Sequence, residues 1–276
     1  MKNIILSVHY GHNATIALSI EGKIVCVLSE ERLNRNKNST GFPFKTLEYV
    51  VNKYLDGNIN SIDKVILNDA ELVGVRCLEY FGYEGSGRDY FYRTAKNNFM
   101  KNYEKPSLRK KIKNLFSKKS NLAPKDFFKH SNDELIEKIS KTLGIDKEKI
   151  YLQDHHTAHI LASMCFIDTK NKYLCFSLDG EGDSSSAKVA IFDNGKLNII
   201  STNDISNSLG ILYLNITGLL GMKPLEHEFK VMGMAPYAKQ EQVTRLKTYF
   251  TDIFSLNING EFSSKIDVRE IFTLPG

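Results

Sequence analysis

The chain has 276 residues, 42% of them apolar and 25% charged, a balance that excludes a disordered tail or a membrane-embedded bundle. Its formal charge of +5 is local, because ten Lys or Arg lie between residues 101 and 129 against Glu104 and Asp126; this stretch reads as a solvated surface insertion or a dock for an anionic substrate or partner, and no nucleic-acid partner is expected. Cys26, Cys77, Cys165 and Cys175 form no CxxC pair and read as reduced core thiols, while the apolar run before His9 is too short for a signal sequence or membrane span, so a cytoplasmic location without membrane contact is expected.

Residues 4–8 alternate as a strand, 14–20 and 24–28 follow as a hairpin about Glu21-Gly22-Lys23, and Gly41-Phe42-Pro43 breaks the chain. Leu47, Val50, Val51 and Tyr54 then recur at helical spacing before an apolar strand at 65–67. From 79 to 124 aromatic and basic residues show little periodicity and mark an insertion. Leu135, Ile139 and Leu143 restore a helix, 149–153 is a short strand, and Asp154 stands where a helix N-cap would, ahead of Ile160, Leu161 and Met164.

The opening pattern then returns. Strands at 173–178, 186–192 and 197–200, with a turn at Asn194-Gly195-Lys196, repeat the strand-plus-hairpin order, and helices are expected over 208–221 and around 240–250. The reading is an α/β protein of two similar lobes facing a cleft, the first over 1–170 with a basic, aromatic insertion at about 79–130, the second over 171–276 and incomplete.

Four stretches carry chemistry. In Asp154-His155-His156-Thr157-Ala158-His159, His155 and His159 are four apart and share a helix face, which suits chelation of Fe(II) or Zn(II); the bare spacing also fits a surface helix. Leu178-Asp179-Gly180-Glu181-Gly182-Asp183, followed by three serines, is an acidic glycine-rich turn able to wrap phosphate, with Asp179 in reach of a metal, or is an ordinary hairpin end. His12, beside Gly11 at a strand tip, suits a general base or is a solvated turn histidine, and Lys37 in the charged loop after Glu30-Glu31-Arg32 suits a phosphate or carbonyl contact or is an ordinary surface lysine. The stretch 222–237, with Lys230 and Gly233, reads as a ligand-facing loop or a helix-to-loop junction.

In order and spacing these stretches resemble the carbamoyltransferase family of the NodU and CmcH type. Gly11-His12-Asn13-Ala14-Thr15 matches its G-H-D-A-S, the run from Glu30 to Asn38 its E-E-R-F-x-R-x-K-H, and Phe42-Pro43 its F-P. D-H-H-x-A-H begins at Asp154, L-D-G-x-G-D at Leu178, S-L-G-x-x-Y at Ser208 and K-V-M-G-L-A-P-Y at Lys230. Asn13 and Asn38 stand where the family commonly has Asp and His.

The resemblance implies duplicated lobes of the actin and Hsp70 type (ASKHA) and an O-carbamoyltransferase N-terminal domain. It implies that a YrdC-like domain, absent here and supplied in cis or in trans, makes carbamoyl adenylate from ATP and carbamoyl phosphate. It implies further that the N-terminal domain then passes the carbamoyl group to a hydroxyl of a small-molecule or sugar acceptor. By the same resemblance His12 is the base, Lys37, Asp179, Gly180, Lys230 and Gly233 touch carbamoyl adenylate, and His155, His159 and Asp179 hold Fe2+ or another divalent metal. The alternative is a truncated remnant that binds metal or nucleotide without turnover.

Overall fold

The computed structural model describes residues 3–11, 13–68, 85–86, 124–224, 226–258 and 262–268. The chain divides into two compact units, Met1–Asp154 and His155–Gly276. It is a mixed α/β protein, and among the described residues no helix is long and apolar enough to cross a membrane.

In the first unit, β1 (Ile4–His9), β2 (Thr15–Ile20) and β3 (Lys23–Ser29) form an antiparallel meander. The alternate residues Ile4, Leu6 and Val8 of β1 are buried, as a two-residue side-chain period requires of a strand packed on one face. The β2–β3 turn has positive φ at both central residues, Glu21 (52°) and Gly22 (78°), the sign pattern of the type I′ hairpin, whose twist suits the strands it joins. A short helix α1 (Glu31–Asn34), β4 (Ser39–Thr40) and helix α2 (Phe44–Tyr54) follow.

β5 (Lys64–Asn68) lies parallel to β1, and β7 (Ile150–Gln153) lies parallel to β5, giving the sheet order β3-β2-β1-β5-β7. Between them come β6 (Gly85–Ser86), which pairs antiparallel with β4, and helix α3 (Pro124–Leu143). The core unites Leu6, Ile16 and Val65 of the sheet with Val50 of α2 and Leu135 and Ile139 of α3, the helical residues expected from their spacing. The basic, aromatic insertion expected over 79–130 lies mainly outside the described residues, as does Cys77.

Buried Glu30 links the meander to α2. Its carboxylate accepts the N–H of Thr46 at 2.8 Å and of Lys45 at 3.3 Å, two of the N–H groups that a helix's first turn leaves without an internal partner.

The second unit opens with helix α4 (His155–Met164) and continues with β8 (Tyr173–Gly182), β9 (Ser185–Asp193) and β10 (Lys196–Asp204). These three form an antiparallel sheet in the order β10-β9-β8. Ile160 of α4 packs with Cys175, Ala190 and Phe192 in a small core, so α4 belongs by its contacts with the second sheet. The β9–β10 turn repeats the first, with Asn194 at φ 48° and Gly195 at 74°. Beyond it lie α5 (Leu209–Leu219), α6 (Glu228–Met234), α7 (Gln240–Ile253) and a hairpin of β11 (Phe254–Leu256) and β12 (Phe262–Ser264).

Two features of β8 depart from a simple strand. The register shifts between Leu178 and Gly182, so Asp179, Gly180 and Glu181 leave the regular ladder, as residues re-aimed by a bulge do. Alternate residues Leu174, Phe176 and Leu178 are 58%, 63% and 70% exposed, and β8 is an edge of its sheet among the described residues. Of the cysteines expected in the core, Cys175 is buried and Cys26 half-buried; Cys165 is exposed because it stands just past the last turn of α4, off the face that Ile160 buries.

Candidate metal centre

The helix that carries the histidine pair starts directly after β7, with Asp154 between them. Spacing of four brings His155 and His159 onto one face, where their rings meet edge to face with centroids 4.7 Å apart. The irregular end of β8 brings Asp179 to the same place. His155 Nε2 is 3.1 Å from Asp179 Oδ2, His159 Nε2 is 3.4 Å from the same oxygen, and the two Nε2 atoms are 3.2 Å apart.

Burial alone would push the Asp179 carboxyl up; hydrogen bonds from His155, His159 and its neighbouring Gly180 N–H outweigh this and hold it well below the usual carboxylate range. The anion is therefore ready to accept a cation at neutral pH. The triangle has the right size for one. Ligands bound at ~2.1 Å stand ~3.0 Å apart in an octahedral facet and ~3.4 Å in a tetrahedral one, and the three edges lie between 3.1 and 3.4 Å. Two imidazoles and a carboxylate on one facet are the donor set of non-haem Fe(II) sites with open positions.

His156, between the two, is fully buried. Its Nε2 lies 3.1 Å from the Ser185 carbonyl, which can only accept, so Nε2 carries the proton and Nδ1 accepts from the Ser177 hydroxyl at 2.8 Å. It ties the start of α4 to both β8 and β9. Gly182 lies against the His155 ring so closely that a Cβ there would run into it.

Residues 3–272 match the family described as carbamoyltransferase N-terminus. The chain belongs to that family. It is 27% identical over 241 residues to an uncharacterized protein of Methanocaldococcus jannaschii, covering 87% of this chain and 34% of that one. It is 25% identical over 260 residues to the nodulation protein NolNO of Sinorhizobium fredii, covering 93% and 32%. A third relative, an uncharacterized protein of Synechocystis, is 24% identical over 255 residues, covering 92% and 37%. The chain spans about a third of the length of these curated relatives.

The other motifs of this carbamoyltransferase N-terminal domain organise backbone around the triangle. Ser208 Oγ donates to the Gly180 carbonyl at 2.6 Å and accepts the Ile211 N–H at 3.1 Å, capping α5. Gly210 comes so near that a Cβ on it would stand 2.7 Å from Gly180 Cα. Tyr213, one turn along, donates from its hydroxyl to the Glu228 carbonyl at 3.1 Å, at the start of α6. S-L-G-x-x-Y thus joins Gly180 to the helix that carries Lys230 and Gly233. Both of these are exposed. Lys230 Nζ lies 2.9 Å from His227 Nε2, and His227 Nδ1 accepts the Lys223 N–H at 3.1 Å.

In the first unit, Lys37 is exposed on a loop that Glu31 and Asn34 brace: Glu31 Oε2 accepts the Asn38 N–H at 3.0 Å and Asn34 donates to Ser39 Oγ at 2.7 Å. His12 lies outside the described residues. Its neighbour Asn13 and also Asn38, two of the departures from the family pattern, have φ of 58° and 56°. Asp, Asn and His are the side chains that tolerate this region best, so the exchanges keep the backbone.

His156, Asp183, Ser208 and Gly210 lie within the motifs D-H-H-x-A-H, L-D-G-x-G-D and S-L-G-x-x-Y, but sequence reasoning gave none of the four a role in the site. Asp183 and Ser208 show in the sequence only as a polar residue at a strand end and one beside a helix start. Their partners lie 28 residues away.

Proposed function

We propose that this chain is the carbamoyl-transferring domain of an O-carbamoyltransferase, with its two units as paired lobes of the actin-like (ASKHA) type. Each unit contains an antiparallel meander with an X-Gly turn between its second and third strands, which supports that pairing. The observation that carries the functional reading is the facet of His155, His159 and Asp179, held beside Gly180 in a chain that matches the family over 3–272.

In this reading the donor is carbamoyl adenylate, made from ATP and carbamoyl phosphate by a YrdC-like domain. The acceptor is a hydroxyl of a small molecule or sugar. His155, His159 and Asp179 hold Fe2+ or another divalent ion, which when bound supplies Lewis-acid polarisation of the carbamoyl carbonyl. Lys37, Asp179, Gly180, Lys230 and Gly233 contact the adenylate, with Lys37 and Lys230 offering positive charge to its phosphate. His12 takes the proton of the acceptor hydroxyl. The acceptor oxygen bonds to the carbamoyl carbon, the bond from that carbon to the phosphate oxygen breaks, and AMP leaves with the electron pair.

The test pairs metal analysis of the purified chain with single-turnover transfer from carbamoyl adenylate, for the wild type and for a His155→Ala, His159→Ala double variant. Stoichiometric metal and carbamoylated acceptor in the wild type, both lost in the variant, are expected. Metal binding that persists in the double variant would remove the site from these residues. Stoichiometric metal without transfer to any hydroxyl acceptor would leave the binding-only alternative.

A further inference from the structure

We propose that Asp183 is a positioning residue for this site: it clamps the start of α4 to the β8–β9 turn and so sets His155 and His159 at metal-binding distance from Asp179. The proposal rests on the metal reading above and adds to it a residue outside the three ligands.

Among the described residues, three hairpin turns have positive φ at both central residues. Two of them place Gly second, as Glu21-Gly22 and Asn194-Gly195. The third, between β8 and β9, is Asp183-Ser184, with φ of 47° and 59° and no glycine. Left-handed backbone is disfavoured at non-glycine residues, less at Asp183 than at Ser184, and such a turn persists where something else holds it. Here the holder is visible. Asp183 is 5% exposed, and its Oδ2 accepts the His155 backbone N–H at 2.7 Å. A buried carboxylate is retained where N–H groups of a helix N-terminus meet it.

The same turn grips α4 twice more. Gly182 leaves room for the His155 ring, and His156 donates to the Ser185 carbonyl on the far side of the turn. The bond to Asp183 fixes the His155 backbone, so its ring rotates about a fixed root. Asp179 leaves the same strand four residues before Asp183, so turn, helix and third ligand share one frame.

Three variants separate strain from clamping. Asp183→Gly removes the acceptor while suiting the positive φ. Asp183→Asn keeps an acceptor oxygen and also suits the φ. Asp183→Ala removes the acceptor and suits the positive φ less well than Asp. Each is titrated with Co2+, read by its visible absorption, and each is followed by amide hydrogen exchange at His155.

The expected result is Co2+ binding ~10–100-fold weaker in Asp183→Gly and Asp183→Ala, the range typical of groups that orient metal ligands, with recovery in Asp183→Asn. The His155 amide should exchange fast in the first two and slowly in Asn and wild type. Wild-type affinity in Asp183→Gly overturns the proposal, and so does equal His155 exchange in all four proteins. A wild type that binds no Co2+ is instead the failure of the metal reading, and amide exchange then decides the clamp by itself.

Discussion

Adjacent histidines on one helix do opposite work here. His155 turns its Nε2 to the carboxylate of Asp179, whereas His156 is fully buried and spends both ring nitrogens on β8 and β9. Replacing His156 by Ala removes two buried hydrogen bonds and a buried ring. Destabilisation of about 2–5 kcal/mol is expected in urea titration, together with weaker metal binding. Gly182→Ala should keep the fold cooperative by circular dichroism and weaken metal binding at least ~10-fold, because the added methyl displaces the His155 ring; unchanged affinity would show that the ring position is not critical. The spacing of His155 and His159 and the acidic turn were legible in the sequence, since a four-residue interval and a D-G-x-G-D string are local. The inward turn of His156 was not. It depends on which strand backs the helix, and no interval along the chain encodes that.

At the scale of elements, caps supplied from a distance recur. Glu30 caps α2 across a loop, and Ser208 both caps α5 and holds Gly180. Ser208→Ala should cost about 1–2 kcal/mol by denaturant titration, and should also lower affinity for adenylate analogues if Gly180 belongs to the ligand site. Glu30→Ala should destabilise the first unit by about 1–3 kcal/mol, the cost of a buried partner removed. Binding of Co2+ should be unmoved, since His155, His159 and Asp179 all lie in the second unit. The strands of both meanders, the helix bearing Leu47 and Val50 and the helix bearing Leu135 and Ile139 all follow from alternation or helical spacing. The Glu30-Glu31 pair reads in the sequence as a charged surface loop; the fold buries Glu30 because its carboxylate meets helix N–H groups fifteen and sixteen residues on.

For the molecule as a whole, the two units are unequal. The first packs both sheet and helices around a large core, while the described core of the second centres on Ile160, Cys175, Ala190 and Phe192. A ligand that binds only the native state stabilises it by mass action, so saturating metal should slow hydrogen exchange in peptides from α4, β8 and β9 and leave those from β1, β2 and β5 unchanged. Uniform protection across both units would contradict a site confined to the second. The row of Leu174, Phe176 and Leu178 on a strand that is an edge among the described residues has a consequence for handling the protein. An apolar strand with an unpaired backbone edge is a template for adding another strand, so this chain purified by itself should scatter light increasingly with concentration and time. Phe176→Lys, which puts a charge in the middle of that template without touching the buried face of β8, should keep it clear.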